Sequence, residues 1–135
     1  MPTPLLFDTC AMIWVARGDR VAPEVRKLFS STAGRAACFV SPISAWEGSL
    51  LAARGKLVFS GENWFSRIVA DCGFELAPVS PDVMSGAAEL PGDAPDDIAD
   101  RIVIATARAY DMRIVTRDRT MLRYARKGYA KYLAC

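Results

Sequence analysis

Histidine is missing altogether from the 135 residues. Its absence excludes a Ser-His-Asp triad, a Cys-His pair, every histidine-ligated zinc site and the commonest general base. Cysteine is sparse: Cys10, Cys38, Cys72 and Cys135 lie far apart with no C-x-x-C pair, which argues against a four-cysteine zinc site. The opening residues 1–8 carry no basic segment, and Asp8 interrupts the apolar run. No secretory signal is read there, and free thiols in a reducing compartment are expected rather than disulfides. Long apolar runs are lacking too. The longest stretch without a charged side chain, residues 36–46, is eleven residues, whereas a membrane-spanning helix needs about 20. The expectation is a cytoplasmic protein with no membrane role.

What is present is an ordinary globular balance, 52% hydrophobic and 24% charged, which speaks against disorder. A chain of this length buries about two-thirds of the surface its unfolded form exposes, so residues 1–135 read as one domain. The net charge is only +2, but it is unevenly placed. Residues 89–100 hold five acids (Glu89, Asp93, Asp96, Asp97, Asp100) and no base, while residues 113–135 hold seven bases against one acid, Asp118. Two solvated faces of opposite sign would give this pattern. So would a concentrated anionic site beside a basic surface, as suits a metal-dependent enzyme acting on a polyanion.

Short apolar runs alternate with amphipathic segments. Strands are predicted at 4–7, 37–40, 74–78, 113–116 and 130–133. Helices are predicted at 9–17 (capped by Asp8 or Thr9 and stopped by Gly18), 23–31, 42–53, 62–72, 98–110, and in short turns after Ser80 and Asp118. Helices regularly separate the strands. The pattern is α/β, with three layers and a central, mostly parallel sheet of about five strands.

In an open parallel sheet, ligands bind outside the carboxyl ends of the strands. Four acids emerge there: Asp8 after the first strand, Glu47 in the first turns of the helix after the second, Asp100 in the first turn of the 98–110 helix, and Asp118 just beyond Thr116. Each has a plain structural alternative. Asp8 and Asp118 can cap helices, Ser44-x-x-Glu47 is a formal capping box, and Asp96, Asp97 and Asp100 can complement a helix dipole. Taken together in a histidine-free chain, they favour a metal site. Crowded carboxylates repel unless a cation offsets them, and oxygen-only ligands select Mg²⁺ or Mn²⁺.

Leu5-Leu6-Phe7-Asp8-Thr9, Ser41-x-x-Ser44-x-x-Glu47, Gly55-Lys56-Leu57, Asp97-x-x-Asp100-Arg101 and Val115-Thr116-Arg117-Asp118 together resemble a PIN domain, and most nearly the VapC-type toxins of toxin–antitoxin pairs. The resemblance spans essentially the whole chain. It implies a PIN-like α/β/α fold and a Mg²⁺- or Mn²⁺-dependent endoribonuclease that is neutralised by a cognate antitoxin. The implied catalytic set is Asp8, Glu47, Asp100 and Asp118, with Asp8, Asp100 and Asp118 on the metal and Asp97, Thr9 and Thr116 as auxiliaries. This chain carries Cys10 after the first Asp-Thr pair, where the family often has histidine. The acid set is untouched by that departure.

The chemistry fits the residues. Phosphodiester hydrolysis needs an activated water and charge neutralisation at the phosphate, and a metal held by carboxylates supplies both. Arg117 and Arg119, flanking Asp118, are the candidate RNA contacts, ahead of Arg123 and of Arg101, whose alternative is to turn back into the fold as an ion-pair partner. Trp14, Trp46, Trp64 and Phe65 lie on helices that could present an apolar groove to an antitoxin segment, and a homodimer is expected. The competing reading is a PIN-like module that binds RNA or protein without cleaving, or a PIN nuclease of RNA processing with no toxin role. A receiver-like signalling domain is set aside. Its late-strand lysine has no counterpart, and the 74–79 segment ends in Pro-Val-Ser where a phosphorylatable aspartate would stand.

Overall fold

The computed structural model describes residues 3–59 and 61–135. Strands β1 (Leu5–Phe7), β2 (Cys38–Val40), β3 (Glu75–Leu76), β4 (Arg113–Thr116) and β5 (Lys131–Ala134) form a sheet in the order β3-β2-β1-β4-β5, with every pairing parallel. Between them lie α1 (Thr9–Arg17), α2 (Pro23–Leu28), α3 (Thr32–Ala36), α4 (Ile43–Ala53), α5 (Trp64–Cys72), α6 (Pro81–Ala88), α7 (Ile98–Tyr110) and α8 (Arg119–Tyr124). A single π-helical turn, Ala125–Tyr129, extends α8.

Alternation along the central strand builds the layers. Successive strand residues face opposite sides, so Leu5 and Phe7 enter a cluster with Met12, Val25, Val40, Phe74 and Val115. Leu6 points the other way, into Val103, Ile104, Ile114, Met121 and Tyr124. Phe7, Phe29 and Phe74 meet edge to face, with ring centroids 5.2–5.8 Å apart. The predicted three-layer α/β/α arrangement is what forms.

The elements differ in detail. The predicted 23–31 helix breaks after Leu28, because the Ser31 hydroxyl accepts from the Gly34 amide at 3.0 Å and starts α3 instead. α5 begins at Trp64 rather than Glu62, since Asn63 sits at φ 59 in the left-handed region. The 74–78 strand shrinks to Glu75–Leu76. Pro42 has helical angles before α4, and the Ser41 hydroxyl accepts from the Ile43 amide at 3.1 Å. The helix therefore opens at Ile43 with Pro42 in the cap position in place of the expected Ser41, and not at a Ser44–Glu47 capping box, which leaves both of those side chains for other partners. Gly18 ends α1 at φ 73, returning its amide to Trp14 and Val15 carbonyls. Among the described residues, no helix is long and apolar enough to cross a membrane.

Strand order places the site. β1 continues through α1–α3 to β2 on one side, whereas β4 adds on the other. The order reverses between β1 and β4, and the crevice beyond their carboxyl ends is the switch point where open α/β sheets bind ligands.

Candidate metal centre and active site

Asp8 leaves β1 at that crevice and caps α1. Its Oδ1 accepts from the Ala11 amide at 2.8 Å, and its Oδ2 from the Thr116 hydroxyl at 2.5 Å. Thr116 Oγ1 in turn accepts from the Asp118 amide at 3.0 Å. Asp118 caps α8 by accepting from the Met121 amide at 2.9 Å, and Asp97 caps α7 by accepting from the Asp100 amide at 2.9 Å. Each of these three acids thus uses Oδ1 on its helix and still faces the crevice. The capping and site readings of the sequence are compatible.

Glu47 comes in from α4 and Asp100 from the first turn of α7. One carboxylate oxygen each from Glu47, Asp97 and Asp100 lies within 4.8 Å of the other two. Asp8 and Asp118 share with them a cleft of about 420 Å³, whose walls also include Thr9, Cys10, Trp14, Leu51 and Arg117. Thr9, buried at the start of α1, hydrogen-bonds Ser44 across 2.8 Å and so pins α1 to α4 beside Glu47.

Residues 5–127 match the PIN domain family. The chain belongs to that family. Ribonuclease VapC22 of Mycobacterium tuberculosis is 29% identical over 123 residues, covering 90% of this chain and 91% of that protein. Two solved structures share the fold. A toxin–antitoxin complex from Klebsiella pneumoniae aligns with TM-score 0.54 at 19% identity, over 84% of this chain and 86% of its own. FitAB bound to an IR36 DNA fragment aligns with TM-score 0.60 at 21% identity, over 96% and 94%.

In this PIN domain the acids strain against one another. Asp100 is pushed up to about 8, first by burial and then by Asp97, Glu47, Asp118 and Asp8. Burial lifts Asp8 to about 6 against the lowering pull of Thr116 and the Ala11 amide, with Glu47 and Asp118 adding to the rise. Glu47 is raised by burial and by Asp97 and Asp118, while a hydrogen bond from Thr9 opposes them. The same field, after burial, holds the Cys10 thiol up at about 11, too high for a thiolate nucleophile at neutral pH. An oxygen-only, mutually repelling donor set of this kind fits a hard divalent cation and lacks the nitrogen or sulfur ligands that zinc favours.

The structure brings all four expected acids and all three auxiliaries to one rim, with a shift of weight. Asp97, expected beside the ligands, is in the tightest group with Glu47 and Asp100. Asp8 and Asp118, expected on the metal, line the same cleft outside that group. Arg117 faces the cleft with its guanidinium 3.9 Å from the Trp14 ring centre, and it donates to the Arg20 carbonyl at 2.9 Å. Arg119 is exposed on α8 outside the cleft walls. Arg101 turns away from the acids and donates to the carbonyls of Ala87, Ala88 and Pro95 at 2.8–3.2 Å. The expected inward turn is there, with backbone carbonyls in place of an ion-pair partner, and the clasp ties the start of α7 to the end of α6.

The four aromatics separate. Trp14 lines the acidic cleft and Trp46 is 52% exposed. Trp64 stacks on Phe59 at 4.0 Å, meets Phe65 edge-on and lines a hollow of about 230 Å³ with Ile13, Ala16 and Ile68. The four cysteines are unbridged.

Proposed function

We propose that this chain is a VapC-like toxin, an endoribonuclease that hydrolyses RNA phosphodiester bonds with Mg²⁺ or Mn²⁺ and is neutralised by a cognate antitoxin. The observation that carries the reading is the convergence of Glu47, Asp97 and Asp100 within 4.8 Å at the sheet's switch point, beside Asp8 and Asp118. Membership of the PIN family supports it, as do a relative named a ribonuclease and a fold neighbour solved as a toxin–antitoxin complex. A non-cleaving module would not need five carboxylates held against their repulsion.

Glu47, Asp97 and Asp100 are the residues to hold a divalent ion, with Asp8 and Asp118 completing the acidic wall. When bound, the ion supplies charge neutralisation at the phosphate and a more acidic water, so no histidine base is needed. Asp8 is oriented by two hydrogen bonds of the protein's own. Asp100, pushed up to about 8 by burial and its acidic neighbours, would hold the ion as a carboxylate, so metal and proton would compete for it. Arg117, with its guanidinium fixed over Trp14, presents positive charge to a phosphate entering the cleft. The working unit is one PIN domain over residues 1–135 in the cytoplasm, as a homodimer.

RNA cleavage by purified protein is expected in Mg²⁺ or Mn²⁺ and lost in EDTA. Full cleavage in excess chelator, with contaminating nuclease excluded, would overturn the metal requirement. Expression of the wild type alone is expected to arrest growth where Asp8→Asn does not, and identical growth of the two would count against the toxin role.

A further inference from the structure

The seven bases of residues 113–135 have unequal partners. Arg113 donates to the Tyr132 carbonyl at 3.2 Å, and Arg117 is held by Trp14 and the Arg20 carbonyl. Arg126 lies over the Tyr132 ring at 5.5 Å, and Lys131 pairs with Asp111 at 2.7 Å. The other three, Arg119, Arg123 and Lys127, are exposed and make no hydrogen bond, ion pair or ring contact among the described residues. They are four residues apart, so they share one face of α8 and its π-helical extension, while Met121, Leu122, Tyr124 and Ala125 are buried on the other. Four residues of α-helix rise about 6 Å, so Arg119 and Arg123 stand about one turn apart, and Lys127 follows in the π-helical turn. The row begins one residue after Asp118, on the wall of the acidic cleft.

We infer that Arg119, Arg123 and Lys127 form a phosphate-binding row for the RNA strand flanking the scissile bond, so that the substrate extends several nucleotides beyond the cleft on the α8 side. This rests on the nuclease reading above. An unpaired cation gains most from a polyanion, because it gives up no internal partner and the bound strand releases its counterions. A strand is the partner that fits a row of cations leading away from an anionic pocket. The cleft itself repels phosphate, and the row supplies the attraction that brings a strand to its edge. Asp93 and Asp96 share a hollow of about 190 Å³ with Arg123 and Lys127, yet no ion pair forms between them among the described residues. They temper the far end of the row.

The test compares Arg119→Gln, Arg123→Gln, Lys127→Gln and the triple variant. Each is made in an Asp100→Asn background for binding and in the wild type for cleavage. Affinity for a long single-stranded oligoribonucleotide is measured against salt in EDTA. The expected result is a salt slope shallower by about 0.7 per substitution and by about 2 for the triple variant. Asp93→Asn with Asp96→Asn should act oppositely and tighten binding. An unchanged slope in the triple variant overturns the row. So does an equal loss of binding to polyglutamate, which would mark an acidic polypeptide as the partner. If the slopes fall as expected but the wild type cleaves no RNA, the row stands and the nuclease reading falls.

Discussion

The Thr116 hydroxyl donates to the Asp8 carboxylate at 2.5 Å, joining the ends of the two strands that bound the site. The same oxygen accepts from the Asp118 amide, so one buried hydroxyl sets both acids. Thr116→Val keeps the shape but leaves Asp8 Oδ2 and the Asp118 amide without that partner. The expected cost is about 1–3 kcal/mol in urea unfolding. Cleavage should also fall, with the Asp8 acid rising further once its lowering hydrogen bond is gone. Wild-type stability in this variant would show that the hydroxyl is replaceable by water.

Acid titration should show in the stability of the metal-free protein. Asp100 is raised from 3.8 to about 8 and Asp8 to about 6. In the window between roughly pH 4 and pH 8 the native state therefore binds more of these protons than the unfolded chain. Their stabilising contribution is fully present at the low end and is lost as pH rises through the folded values. Thermal melts in EDTA should give a falling trend from these groups that Asp100→Asn makes shallower. Saturating Mg²⁺ should oppose the trend, since the ion needs the deprotonated acids. An identical profile for Asp100→Asn would remove Asp100 as its source.

Asp97 separates capping from catalysis. Asn caps a helix about as well as Asp, whereas Ala loses the bond to the Asp100 amide at a cost of about 1 kcal/mol. Asp97→Asn should melt like the wild type and lose much of its Mg²⁺ response, while Asp97→Ala loses both. Full activity in Asp97→Asn would confine this residue to capping α7.

Gly48 is held by a close approach. A Cβ there would stand 2.3 Å from the Trp64 ring, so Gly48→Ala must displace that ring from its stack on Phe59 and its bond to Ser49. A loss of about 1–3 kcal/mol is expected, and it should shrink in a Trp64→Leu background. Equal losses in both backgrounds would acquit the ring.

Much of this was legible because the acids sit where apolar runs stop. Asp8 ends Leu5-Leu6-Phe7, Asp118 follows Ile114-Val115-Thr116, and Asp97-x-x-Asp100 opens a strongly apolar helix, so strand ends and caps revealed them locally. What stayed hidden depends on chain neighbours far apart in sequence. Ser44 faces Thr9 rather than capping α4, and Trp64 settles over Gly48. The sequence marks seven bases as one cluster. Only packing separates those with internal partners from Arg119, Arg123 and Lys127.

Three of the five acids, Asp8, Asp97 and Asp118, hold a helix end with Oδ1. An aspartate codon becomes an asparagine codon by one base change, and asparagine keeps such a cap. On the proposed toxin role, genetic escape is therefore available without misfolding. Survivors of forced expression that carry Asn at one of these three positions should still yield folded protein that melts cooperatively near the wild type. Such survivors would still produce a folded, inert protein able to occupy the proposed antitoxin, leaving less of it for any active copy the cell retains.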